Sequence, residues 1–211
     1  MASEQGKCQI WGTCRNEFDV RNACGSDLKT VFSMIIELAA DLKADVIEDV
    51  SLSEDQFVSD YQNGYFRLIV IEKKKMIYER NDNNQKDITQ KTSNATQQTT
   101  ECFMAGYALY NFAYETWSGR VARLDDIYIR KPYRNLGLGT YLMAVLAKIA
   151  IDNNCKSLKW QCLDWNKNGL EFYFNKLNAI EGVKEKEGQK FKLVNIEISD
   201  DKLKNLSLQL K

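Results

Sequence analysis

The chain has 211 residues, enough for one domain with a sizeable core, and its 29 basic and 29 acidic side chains cancel, so bulk charge selects neither nucleic acid nor a membrane surface. It contains no histidine, which removes Ser-His-Asp and Cys-His catalysis, HExxH metalloproteases and most zinc enzymes; acid–base work falls to Asp, Glu, Tyr, Lys, Cys or water. Six cysteines without a CxxC pair argue against a disulfide framework or a metal site, and the absence of a signal-peptide or membrane-span pattern leaves a cytoplasmic chain as the expectation.

Residues 1–16 have weak periodicity and read as an N-terminal extension, either a short extra strand or a loose tail. Glu17–Asn22 alternates as a strand. Ser26 or Asp27 can then cap a helix whose apolar positions Leu28, Val31, Phe32, Ile35, Ile36 and Leu38 follow helical spacing. Ser53-Glu54-Asp55-Gln56 opens a second helix, and Arg67–Ile71 is a strand. The polar stretch 81–100 cannot bury enough surface to order itself and reads as a surface insertion between two strands. Asn94-Ala95-Thr96 within it matches a glycosylation sequon, expected to be idle in a cytoplasmic chain.

Cys102–Phe112 and Arg120–Ile129 are strands joined by a hairpin through Tyr114–Gly119. A helix after Gly139 buries Leu142, Val145, Leu146 and Ile149. Ser157–Asp164 alternates Leu158, Trp160 and Cys162 on one face, so this strand–helix–strand order implies parallel pairing. Asn166 caps a helix over Lys167–Leu177, and a last strand, Lys190–Ile198, precedes a polar tail over 199–211. The fold class is α/β, a mixed twisted sheet with an antiparallel front half, in one domain spanning 17–198.

Arg134–Thr140, RNLGLGT, stands where a strand has ended and a helix begins. The first N–H groups of a helix have no internal partner and the dipole favours an anion there. Gly137 and Gly139 would let the main chain approach phosphate oxygens, with Arg134 adding positive charge. An ordinary turn is the alternative for the glycine spacing alone, and the pattern is neither a Walker loop nor the dinucleotide fingerprint. Asp125 and Asp126 interrupt an apolar strand; in regular alternation they would point to opposite faces, so only a bulge lets both serve one site. An edge position or an ion pair is the competing explanation. Tyr173, taken alone, reads as a core aromatic, and Cys162 is an acyl nucleophile on paper only.

Strand–RxxGxG–helix, then a strand ending in Leu163-Asp164-Trp165-Asn166, then a tyrosine seven residues after that Asn, resembles the GNAT superfamily of acetyl-CoA-dependent N-acetyltransferases. Within it, GYALYNFAYETWSGR (106–120), LDDIYIRKPYRNLGLG (124–139) and LDWN (163–166) are similar to the diamine (spermidine/spermine) acetyltransferases and the thialysine N-epsilon-acetyltransferases. The resemblance covers about residues 17–195. It implies the GNAT acyl-CoA N-acyltransferase fold in a homodimer that binds acetyl-CoA and a small cationic amine, with no metal, nucleic acid or membrane.

By the same resemblance, the pyrophosphate rests on Arg134, Asn135, Leu136, Gly137, Leu138, Gly139 and Thr140, and the pantetheine arm runs along Ile127, Tyr128 and Ile129. Asn166 holds the arm, and Tyr173 protonates the departing thiolate. Asp125 stands where relatives carry a glutamate that removes the amine proton through water; Asp126 faces the substrate, and Glu115 and Trp117 match the loop at the amine's far end. A protein lysine or N-terminal acetyltransferase, or a weakly active acyl-CoA-binding module, is the alternative function.

There are four departures from the pattern. Asp125 is one methylene shorter than the glutamate; Asn135 and Asn178 replace glycines, which Asn tolerates in left-handed conformations. One extra residue lies between Tyr173 and Ala179, so counting back from Ala179 puts Phe174, which has no hydroxyl, in the acid's place. The acidic patch after the first helix of polyamine enzymes is not cleanly matched by residues 41–49, DLKADVIED.

Overall fold

The structure, a computed structural model, describes residues 9–43, 50–79, 97–181 and 193–210. Five strands pair antiparallel in chain order: β1 Ile10–Cys14, β2 Phe18–Asn22, β3 Arg67–Glu79, β4 Gln97–Glu115 and β5 Gly119–Ile129. Helices α1 Leu28–Asp41 and α2 Glu54–Gln62 lie between β2 and β3. After β5 the chain enters α3 Leu138–Asp152 and returns as β6 Ser157–Leu163, parallel to β5 as its order predicts. A short helix, α4 Lys167–Glu171, leads to the two-residue β7 Ile180–Glu181 and to β8 Leu193–Ser199. Among the described residues the sheet order is β1-β2-β3-β4-β5-β6-β8-β7.

Both faces of the central strands are covered. Ile69 and Ile71 of β3 pack towards α3 with Phe18, Val20, Leu142 and Leu146. Leu68 and Val70, offset by one residue, pack towards α1 and α2 with Leu28, Val31, Met34, Phe57 and Tyr61. A strand buried on both faces has no polar side, which is why Arg67–Ile71 reads as a near-continuous apolar run. Ser53 caps α2 by accepting the Gln56 N–H at 3.2 Å, as expected. At α1 the expectation was different: neither Ser26 nor Asp27 makes a side-chain cap to that helix. Asp27 instead accepts the Cys24 N–H at 2.7 Å and pairs with Arg21, also at 2.7 Å. Among the described residues no helix is long and apolar enough to cross a membrane.

Of the two readings offered for the N-terminal extension the strand holds, and two later stretches depart from the sequence reading. The N-terminal extension contributes β1, whose Trp11 Nε1 donates to Asn22 Oδ1 at 2.8 Å. Of the polar insertion 81–100, the sequon and its surroundings lie outside the described residues, whereas residues 97–100 belong to β4 and pair with β3 from Glu79 to Met76. The C-terminal stretch expected as a tail forms helix α5, Asp200–Ser207, with Leu203 and Leu206 buried in the α3 core. Its apolar content is too sparse to announce a helix, and packing supplies what propensity lacks. Lys202 Nζ also donates to the Asn178 carbonyl at 2.9 Å, tying α5 to the turn before β7. Leu203→Ala is expected to cost about 2–4 kcal/mol in urea denaturation; a change within about 0.5 kcal/mol, typical of a surface tail, would contradict this packing.

Candidate active site

β5 and β6 pair for only three residues, Val121↔Ser157, Ala122↔Leu158 and Arg123↔Lys159. Beyond Arg123 the strands part while β6 stays paired to β8 and β5 to β4. The parting coincides with a bulge. Leu109 pairs with Asp126 and Tyr110 with Leu124, so Asp125 is an extra residue on β5. A bulge bends and twists its strand and resets side-chain alternation. Leu124 therefore packs in the α3 core, while Asp126 lies beside Leu109, which packs towards α1 and α2. Asn111 Nδ2, on the same side of β4 as Leu109, donates to Asp125 Oδ2 at 2.9 Å. Both carboxylates thus sit on one face at the mouth of the opening, the arrangement that regular alternation forbids.

Neither acid has a basic side chain within salt-bridge distance among the described residues. Partial desolvation raises the Asp125 carboxyl, opposed by Arg123 and by the Asn111 hydrogen bond. Asp126 is the more deeply placed: burial, then the Asp125 charge, push it up to about 6. The Tyr107 hydroxyl acts in the opposite direction on Asp126. Tyr107 is fully buried. Although the Asp126 carboxylate is near enough to act on it, its hydroxyl completes no hydrogen bond of regular geometry among the described residues.

Across the opening stands Tyr173. The helix begun by α4 becomes a π-turn over Phe172–Lys176, with Leu177 N–H donating to the Phe172 carbonyl at 3.2 Å. A π-turn absorbs one residue beyond regular α-helical spacing, and so accommodates the extra residue before Ala179 without moving Tyr173 relative to Asn166. The Tyr173 ring meets Trp160 edge-on at 5.2 Å. Burial holds its hydroxyl far above the ordinary phenol range, with Cys162 and then Asp126 adding to the effect; Asp126 and Tyr173 therefore feel each other through the gap. Phe174 is a partly buried apolar contact of the same core. Burial pushes the Cys162 thiol up to about 11, which keeps it protonated and removes it as an acyl nucleophile at neutral pH.

The loop that enters α3 has Asn135 and Gly137 in left-handed conformations, φ 62° and 78°. α3 starts with no side-chain cap, so its first N–H groups stay open to an anion. Gly139 faces the Phe172 ring, where a Cβ would make an ordinary contact at 3.4 Å. The Arg134 side chain departs from expectation. Its Nε donates to the Ile129 carbonyl at 2.8 Å and its Nη2 to Asp41 of α1 at 2.6 Å. Lys131 also binds Asp41, at 2.7 Å, and the two cations, Lys131 foremost, hold that carboxyl below the usual range. Arg130 binds Glu37 at 2.7 Å. The backbone, more than the Arg134 charge, is what the loop offers an anion. Asn166 commits its Oδ1 to the Gly169 N–H at 3.0 Å, capping α4.

The family model for the acetyltransferase (GNAT) family matches residues 56–178. The chain is 30% identical over 171 residues to thialysine N-epsilon-acetyltransferase of Mus musculus, covering 80% of this chain and 87% of that one. The same-named protein of Bos taurus is 41% identical over 70 residues, 33% of this chain and 41% of the relative, less than half its length. An acetyltransferase from Salmonella typhimurium, solved with its cofactor acetyl-CoA, superposes with a TM-score of 0.57 at 15% identity, over 87% of this chain and 94% of that one. The chain belongs to the acetyltransferase (GNAT) family.

In this GNAT acetyltransferase the elements expected to receive acetyl-CoA fit the group. An uncapped helix start follows the left-handed loop, and the β5 edge from Ile127 to Ile129 faces the gap unpaired with β6. Glu115 and Trp117 are not brought to the acids within one chain. They lie at the β4–β5 hairpin, roughly 20 Å along β5 from Asp126. Trp117 is fully exposed, and Glu115 binds Lys159 at 2.8 Å, which lowers its carboxyl together with the Ser118 hydroxyl. Sequence reading missed Tyr107, Asn111 and the α1 acids Glu37 and Asp41. Only strand register reveals that Tyr107 and Asn111 share the acids' face.

Asp126→Asn is expected to raise the melting temperature near pH 8. A carboxyl whose folded pKa, about 6, exceeds its usual 3.8 makes the folded state bind more protons over that window, so ionisation costs stability as pH rises. The gain should shrink as pH falls through about 6 and disappear below about 4; calorimetric melts of both proteins across this range check it, and a pH-independent difference would contradict it.

Proposed function

We propose that this GNAT chain transfers acetyl from acetyl-CoA to the primary amine of a small cation, of the thialysine, diamine or polyamine kind, by direct attack in a ternary complex. The observation that carries the reading is the pair Asp125 and Asp126, side by side and outside any salt bridge among the described residues, facing a buried tyrosine across the opening between β5 and β6. Two adjacent carboxylates outside any salt bridge favour an incoming ammonium. The names of the mouse and bovine relatives support thialysine as the first amine to test.

An aliphatic amine has a pKa near ~10.4, so its nucleophilic form is scarce at neutral pH by about three units, roughly 4 kcal/mol. A carboxylate that can take the proton as attack begins relieves that shortage. Sequence resemblance assigns this role to Asp125. Burial favours Asp126 instead: with a pKa of about 6 it is mostly ionised at neutral pH yet more basic than an ordinary aspartate. Asp125, exposed and held by Asn111, then attracts and orients the ammonium. When bound, acetyl-CoA supplies an activated thioester. Tyr173 keeps its proton until a departing sulfur can accept it, because its dry surroundings penalise the phenolate.

The reading includes a cytoplasmic homodimer, on the strength of the sequence resemblance. A second copy would let the hairpin bearing Glu115 and Trp117 meet an amine that its own Asp126 holds too far away. Light scattering of the purified chain measures that state directly.

CoA release with thialysine, putrescine and spermidine, ranked by kcat/KM, tests the substrate class; no release with any of them would sink it. Tyr173→Phe is expected to lower kcat by about tenfold or more while calorimetric acetyl-CoA affinity changes little, since only proton transfer is lost. Full activity in that variant would remove Tyr173 from the acid's role.

A further inference from the structure

A hydroxyl buried without a partner is costly, and such groups are uncommon in folded proteins. Tyr107 comes close to that condition: the side chain has no solvent exposure, and its oxygen completes no hydrogen bond of regular geometry among the described residues, with the Asp126 carboxylate the acceptor near enough to act on it. The tyrosine beside it is differently served. Tyr128 pairs with Tyr107 across β4 and β5, their rings 6.4 Å apart, and its hydroxyl reaches Glu37 and Asp41, each at 3.4 Å. Those two acids are in turn engaged by Arg130, Lys131 and Arg134. Burial, and then the neighbouring Asp126, Tyr128 and Glu37, push the Tyr107 hydroxyl well above the ordinary phenol range.

Strand register sets this relation. Pairing is regular from Leu109↔Asp126 to Tyr107↔Tyr128, so Asp126 and Tyr107 lie diagonally on one face, and the bulge at Asp125 separates that face from Leu124. The Asp126 carboxylate turns about a soft, broad terminal torsion, so a small rotation is enough to bring it to a donor already at hand. A carboxylate that accepts such a bond is stabilised in its charged form.

We propose that Tyr107 is a positioning residue for Asp126: its hydroxyl donates to the ionised carboxylate, holding it at the mouth of the opening in the orientation that accepts the amine proton. This rests on the role given to Asp126 in acetyl transfer. The group is otherwise surrounded by Asp125 on its own strand and by Tyr173 on the π-turn, with Glu37 of α1 and Tyr128 of β5 behind Tyr107. Asp125 disfavours the charge on Asp126 and the Tyr107 hydroxyl favours it. Once the amine proton has arrived, the bond to Tyr107 weakens and the carboxyl is free to turn and release it.

The test is a titration of protein labelled with 13C at the aspartate carboxyl, followed by NMR and needing no amine, with Asp126→Asn assigning the signal. Tyr107→Phe should move the Asp126 midpoint upward by roughly one unit. 3-Fluorotyrosine at position 107 keeps the shape while making the phenol a stronger donor, and should move it downward. With thialysine and acetyl-CoA, the acid limb of the kcat/KM profile should move in the same directions, so that the loss in Tyr107→Phe grows as pH falls. A tyrosine present only for packing would leave midpoint and limb unmoved in both proteins, and that result overturns the proposal. If Asp126→Asn instead keeps the wild-type acid limb, the catalytic role of Asp126 fails, and the NMR midpoints still decide whether Tyr107 holds the carboxylate. Should Tyr107→Phe not fold, the fluorotyrosine protein carries the same decision.

Discussion

β5 cannot follow β4 and β6 at once beyond Arg123, and the bulge at Asp125 is where it stops doing so. An extra residue in one strand of an antiparallel pair bends that strand and increases its local twist. Here the bend falls two residues after the last pair with β6, so the same irregularity that separates the strands also turns two acids to one face. The opening and its chemistry are therefore one feature of backbone geometry. An isolated strand with two adjacent aspartates would place one of them against the core unpaired, at considerable cost.

What the bulge does for the acids, the π-turn does for the tyrosine. Residues 166–173 keep the spacing that carries Tyr173 to the gap, and residues 177–179 keep the spacing that buries Leu177 and Ala179. The surplus residue is taken up between them in a wider turn. Asn178 then leaves the turn in the left-handed conformation, φ 51°, that its replacement of a glycine required. On the opposite side, Gly139 at the start of α3 lies against the Phe172 ring of the π-turn.

The cations of the loop serve the scaffold. Arg130, Lys131 and Arg134 reach back to Glu37 and Asp41, holding the C-terminal half of α1 against the end of β5. Pairs as exposed as these contribute little stability individually. Their consequence lies in charge: Glu37, Asp41 and Glu115 are each paired with a basic side chain, whereas among the described residues Asp125 and Asp126 form no salt bridge.

Much of this was legible in the order of residues. The strand–loop–helix unit, the glycine and asparagine positions that need left-handed backbone, the parallel return of β6 and the capping Asn166 are local or near-local, set by periodicity and steric preference within a few residues. The family was legible in its motifs, and only that resemblance singled out the tyrosine, which taken alone reads as a core aromatic, and gave the two acids separate roles. Tertiary structure decided what depends on neighbours distant in sequence. Register across β4 and β5 made Asp125 the bulged residue and brought Tyr107 and Asn111 to its side; packing against α3 turned a polar C-terminal stretch into α5; α1 claimed the Arg134 side chain. Burial separated two chemically identical carboxylates, leaving Asp125 exposed and lifting Asp126 to about 6. A residue's type is written in the chain, but its solvation is set by whatever the fold places around it, and solvation is what distinguishes the two aspartates.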